Sequence, residues 1–100
     1  MAEYGDDWSD AELEICIQQY ADVVRRGGTE KNISKDTFIS RAEKQLPGRT
    51  RDSVLLRMGN LSAVLMTHER PIVLGWAVKK NVGSGIVPRI ETLLAKYDLI

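Results

Sequence analysis

The feature that most restricts what this chain can become is one helical stripe, opened by a capping pair and closed by two glycines. Ser9 and Glu12 stand three residues apart, the spacing at which each side chain can satisfy an orphan backbone N–H at a helix start. Trp8 and Leu13 supply the matching hydrophobic staple. Leu13, Cys16, Ile17, Tyr20, Val23 and Val24 then recur at steps of three and four, the period of one helix face. Asp10, Glu12 and Glu14 lie where the helix dipole favours negative charge, and Arg25 and Arg26 where it favours positive charge. Gly27-Gly28 stops the helix. A stripe this regular must be buried against something. With 100 residues, 43% of them apolar and 28% charged, the chain has the make-up of one globular domain. A core of that size hides about 60 to 65% of the surface exposed by the unfolded chain, which leaves little room for a large internal active-site cavity.

Three more helices follow from the same reasoning. Ser34 is placed to cap a second helix carrying Phe38, Ile39, Ala42 and Leu46, ended by Pro47-Gly48. Thr50 is placed to cap a third, with Asp52 and Ser53 in its first turn and a buried stripe of Val54, Met58, Leu61 and Leu65. Ser84 is placed to cap a fourth, in which Pro88 is tolerated because it lies in the first turn and Ile86, Ile90, Leu93, Leu94 and Tyr97 face inward. Between the last two, Pro71 to Val78 is apolar and rich in β-branched residues, which predicts an extended strand or a loop packed on the bundle. The expected fold is therefore mainly α: a three-helix, helix-turn-helix-like bundle with a short extended segment and a C-terminal fourth helix. Residues 1–7 are expected to form a flexible acidic lead-in partly anchored by Tyr4, and residues 8–100 a single helical domain.

Several function classes are disfavoured. No apolar run approaches the roughly 20 residues needed to span a bilayer, and the acidic start lacks the basic and apolar parts of a secretory signal, so a cytoplasmic location without membrane contact is expected. One Cys and one His cannot furnish the ligand set of a zinc site. Cys16 lies on the apolar stripe and His68 beyond the third helix, which does not make a nucleophile and base pair. Glu30, Asp36 and Glu43 are placed as solvation alone would place them. Asn81-Val82-Gly83-Ser84-Gly85 lacks the Gly-Lys-Ser/Thr ending of a nucleotide-binding loop. The expectation is a non-enzymatic chain without metal or cofactor.

Charge and side-chain type point to a binding surface. Lys plus Arg and Asp plus Glu each number 14, yet residues 1–22 hold seven carboxylates and no cation, leaving fourteen basic against seven acidic residues beyond. That asymmetry allows one face to attract a polyanion, although a pI near 6.6 argues against charge-only binding. Arg49 and Arg51 flank the start of the third helix, where the dipole disfavours cations unless an anion compensates. With Thr50 they form an expected phosphate-contacting element. Thr50, Ser53, Arg57 and Asn60 recur on one polar face, and Ser53, Arg57 and Asn60 are the expected base contacts, since Arg and Asn make bidentate pairs with guanine and adenine. Lys79, Lys80 and Ser84 form a second expected phosphate-contacting element. Trp76, inside an apolar run, reads first as a buried or partly buried anchor and second as a base-stacking platform.

Two resemblances rest on these residues. Trp8, the capped helices and Gly48-Arg49-Thr50 with Ser53-Val54 and Arg57 resemble a Myb/SANT-type tri-helical helix-turn-helix, without that family's regularly spaced tryptophans beyond Trp8. Over Trp8 to Leu94 the chain is more similar to a small helical domain at the amino end of HNH-type, modification-dependent restriction endonucleases. The shared pieces are Gly48-Arg49-Thr50, Ser53-Val54, Arg57-Met58, Asn60 to Leu65, Gly75-Trp76 and Asn81-Val82-Gly83; the departures are Leu55-Leu56 and Trp76 to Lys80. In those proteins the cutting is done by a separate HNH domain, so the resemblance implies targeting of double-stranded DNA, modified or not, together with an HNH nuclease domain or partner protein. The expected function is a DNA-binding module in which the third helix reads the duplex. The alternative is a protein-interaction or adaptor domain, for which Leu56 and Trp76 offer a small apolar interface.

Overall fold

A computed structural model describes residues 8–100; the lead-in at 1–7 lies outside the described residues. Four helices follow in order: α1 (Asp10–Arg25), α2 (Asp36–Gln45), α3 (Arg51–Thr67) and α4 (Val87–Lys96). Both caps of α1 are built as its sequence predicts. The Glu12 N–H donates to the Ser9 hydroxyl at 3.1 Å and the Ser9 N–H to the Glu12 carboxylate at 2.9 Å. At the other end Gly27 takes φ 88, and Gly28 and Gly27 donate to the Val23 and Val24 carbonyls at 2.9 and 3.0 Å. This pair of bonds is the Schellman arrangement. A Cβ on Gly28 would lie 2.3 Å from the Val23 side chain, so the second glycine is needed for space.

Two cap expectations are corrected. Lys35, not Ser34, is the N-cap residue of α2, and Ile86, not Ser84, that of α4, neither with a side-chain cap bond. The N-cap residue of both helices is in αR geometry rather than the extended geometry from which a capping side chain reaches the orphan N–H groups. Thr50 does cap α3, accepting from the Ser53 N–H at 3.1 Å.

α1 and α3 form the central pair, with α2 and α4 each packed on both of them and not on each other. The stripe residues of all four helices join one core cluster, with Trp8, Leu13, Cys16, Ile17 and Tyr20 meeting Phe38, Ile39, Leu61, Leu65, Ile90 and Leu94. Among the described residues there is no strand. Pro71 to Val78 takes the loop form: it turns at Leu74 to Trp76 and continues without regular structure to Gly83, making a strap over α3. The strap is tied at four points. The Val73 N–H donates to the Tyr20 hydroxyl at 2.9 Å, the Leu74 N–H to the Gly28 carbonyl at 2.8 Å and the Lys79 N–H to the Gly59 carbonyl at 3.0 Å, and the Asn60 amide to the Lys79 carbonyl at 2.6 Å.

The strap changes the character of α3. A stripe of Val54, Met58, Leu61 and Leu65 is buried as expected, but every residue from Arg57 to Leu65 is buried as well. The crossing point is Gly59, where a Cβ would stand 2.5 Å from the Ala77 carbonyl oxygen. Only a residue without a side chain lets the backbone pass so close.

Candidate functional site

The arginines at the head of α3 are occupied by the protein itself. Arg49 is mostly buried and makes a two-pronged contact with Glu12, Nε to Oε2 at 3.0 Å and Nη2 to Oε1 at 2.9 Å. Its guanidinium also lies 4.3 Å from the centre of the Trp8 ring. The Arg49 bonds, helped by the Ser9 N–H, hold the Glu12 carboxyl at about 2, well under its ordinary range. Arg51 reaches back to α2, donating to Glu43 at 2.8 Å and to Asp36 at 3.3 Å. The compensating anions sought by these misplaced cations are thus carboxylates of α1 and α2. Thr50 serves as the cap of α3, and the half-buried Ser53 hydroxyl donates to the Thr50 carbonyl at 2.8 Å.

The expected base-reading pair requires a correction. Arg57 and Asn60 do share a face with Thr50 and Ser53, but that face turns inward after the first turn, leaving them 6% and 2% exposed. Arg57 sits 4.8 Å from the centre of the Trp8 ring and donates to the Asn60 side-chain oxygen at 3.1 Å, while Asn60 holds the strap at the Lys79 carbonyl. Both side chains are thus placed inside the fold rather than on its surface. A pair chosen for hydrogen-bonding capacity does use it inside the fold, Arg57 on the Asn60 side chain and Asn60 on the strap backbone, as buried polar groups require.

Lys79, Lys80 and Ser84 are exposed, as the phosphate-contacting reading requires. Lys79 and Lys80 lie on the strap and form no ion pair with any described carboxylate. Several other cations have partners within the fold: Arg89 bonds Asp10 at 2.7 Å, Lys96 bonds Glu14 at 2.6 Å, and Arg26 and Arg41 lie over the Phe38 ring at 5.7 and 5.4 Å. Tyr97 donates to Glu14 at 2.5 Å and accepts from Gln18 at 2.9 Å. Acidic residues of α1 thus hold α4 through Arg89 and Lys96 and the head of α3 through Arg49.

Leu56, Met66 and Leu74 are large apolar side chains left open to solvent. On one side of the strap a cleft of about 500 Å³ is lined by Asp52, Leu55, Leu56, Gly75, Trp76, Ala77 and Lys79. Leu56 is 41% exposed, and the half-buried Trp76 ring is backed by Tyr20, centre to centre 5.7 Å. A shallower hollow continues past Trp76 to Lys35, Asp36 and Arg51. On the other side of the strap a second cleft of about 420 Å³ is lined by Ala63, Val64, Met66, Thr67, Lys80, Val82 and Val87. Reading the sequence found Leu56 and Trp76 but missed the second cleft. The overlooked signal is Gly59, since a glycine inside a helix pattern marks a close backbone approach.

Among the described residues no group of three or more His, Cys, Asp or Glu could hold a metal ion. Burial pushes the Cys16 thiol up to about 12, in keeping with its expected structural role. His68 pairs with Glu91 at 2.7 Å, joining the end of α3 to α4. Among the described residues no helix is long and apolar enough to cross a membrane. Comparison of the chain with protein-family models, with curated proteins and with solved structures returns no match.

Proposed function

We propose that this chain is a non-catalytic binding module whose contact surface is the Leu56–Trp76 cleft, and that the cleft takes a segment of a partner protein. The observation that carries this reading is the joint placement of Leu55, Leu56, Trp76 and Ala77 around one open cleft. An exposed Leu beside a rigid aromatic resembles the anchor region of a protein interface, where aromatic residues concentrate most of the binding energy. The cleft lining is mainly apolar and carries one residue of each charge, Asp52 and Lys79, a mixed lining that suits a peptide better than a polyphosphate. The likeness to a nuclease targeting domain is compatible with such a role, with a polypeptide of a restriction-type assembly as partner.

A photo-crosslinking residue at Leu56, with one at the exposed Gln45 of α2 as control, tests this in the native host. The expected result is a discrete, protease-sensitive adduct formed from position 56 and not from position 45. A nuclease-sensitive adduct, or equal labelling from both positions, overturns it.

Duplex DNA is the second reading, favoured by the exposed Lys79 and Lys80 on the strap, which form no ion pair among the described residues. In that reading the contacts are to phosphate, and base reading by α3 has no part. Substituting either lysine by alanine would then lower the slope of log affinity against log salt by about 1, without changing sequence preference.

A further inference from the structure

Leu56, Gly59, Ala63 and Met66 follow one another on α3 at steps of three, four and three, so they form a single outward ridge. The strap covers the middle of that ridge at Gly59 and leaves Leu56 and Met66 exposed at its two ends, 41% and 44%. Each end has its own cleft, and consecutive strap lysines divide between them, Lys79 in the lining of one and Lys80 in that of the other. Lys80 is the one charged residue lining the Met66 cleft. Lys79 forms no ion pair with Asp52, although the two line the same cleft. Two apolar sockets are thus separated by a bridge that presents two lysines, neither ion-paired with any described carboxylate.

We infer that the two clefts form one bipartite site for an extended, acidic peptide segment that lies across the strap, with an apolar anchor in each cleft and a carboxylate between them over Lys79 and Lys80. This rests on the protein-binding reading of the Leu56–Trp76 cleft and extends it to the partner's chemistry. The spacing follows from the helix. Leu56 and Met66 are ten residues apart, which at 1.5 Å per residue is about 15 Å. An extended chain advances about 3.3 Å per residue and returns a side chain to the same face every second residue. Anchors four residues apart therefore span about 13 Å on one face, and the residue midway points at the strap. The recognition element is apolar, any, acidic, any, apolar. A helical occupant is disfavoured, because a cylinder about 10 to 12 Å across would ride on the strap and reach neither cleft floor.

An unbiased random-peptide display library selected on the whole chain tests the inference, followed by anisotropy titration of the enriched peptides. Leu56→Asp, Met66→Asp and Lys80→Glu all change exposed side chains, and circular dichroism checks their folding. The expected result is a consensus with two apolar residues four apart and Asp or Glu between them, whose affinity falls about tenfold or more with each of the three variants. Peptides that depend on Leu56 and Trp76 but ignore Met66→Asp and Lys80→Glu overturn the bipartite site and leave the first reading standing. A basic consensus overturns the charge assignment. Enrichment that is absent, or equal on wild type and on Leu56→Asp, overturns both readings. Absent enrichment together with binding of duplex DNA at low salt transfers the surface to nucleic acid.

Discussion

Glu12 does two jobs with one carboxylate: an oxygen caps α1 at the Ser9 N–H while both oxygens receive Arg49. The first job is legible in the sequence, because its two members are three residues apart. The second joins residues 37 apart, which no local pattern reveals. Its consequence is a pH dependence whose sign is set by the lowered pKa of Glu12. Glu12 titrates near 4.5 when unfolded and at about 2 when folded, so the unfolded chain binds the extra proton. The stabilisation is complete above the unfolded value and is lost as pH falls from about 4.5 towards 2. The pair is partly open to water, so screening reduces its worth to about 1 to 2 kcal/mol. Thermal melts across that range should show this loss, and Glu12→Gln should remove it. A Glu12→Gln protein that keeps the full acid-dependent slope would place the effect elsewhere.

At the scale of elements, the informative case is α3. Its apolar positions predict a helix with one buried stripe, and its polar positions predict an exposed face with a reading function. Periodicity reports how residues are arranged around an axis, not how many neighbours will surround that axis. Here α1, α2, α4 and the strap close around it, and Arg57 and Asn60 become the internal support of the strap. Gly59→Ala tests that arrangement. On an exposed helix the substitution would gain about 1 kcal/mol in propensity. At Gly59 the new methyl would meet the Ala77 carbonyl at 2.5 Å, so a net loss of about 1 to 3 kcal/mol is expected. Urea unfolding measures the loss, and Trp76 fluorescence reports the displaced strap. A gain in stability would mean that the strap does not lie against α3.

At the scale of the whole molecule, one core cluster runs through all four helices and the strap residue Val73. Unfolding should therefore be a single transition. Leu61→Ala in α3 and Ile90→Ala in α4 remove side chains with no exposure, and each should lower the stability of that same transition by about 2 to 5 kcal/mol. Denaturant curves followed by circular dichroism and by tryptophan fluorescence should coincide for both variants. Separate midpoints would show that α4 melts on its own. The sequence by itself determined the helices, their apolar stripes, the capping box and glycine stop of α1, and the burial of Cys16, because these depend on contacts within a few turns of one chain segment. Only the tertiary structure decided which polar residues meet solvent. The partners of Arg49, Arg51, Arg57 and Asn60 come from other elements, and a charge or an amide is drawn to whatever satisfies it first when water is removed. By the same reasoning the proposed binding surface is part of what packing leaves outside: two apolar clefts, with Lys79 and Lys80 between them forming no ion pair with any described carboxylate.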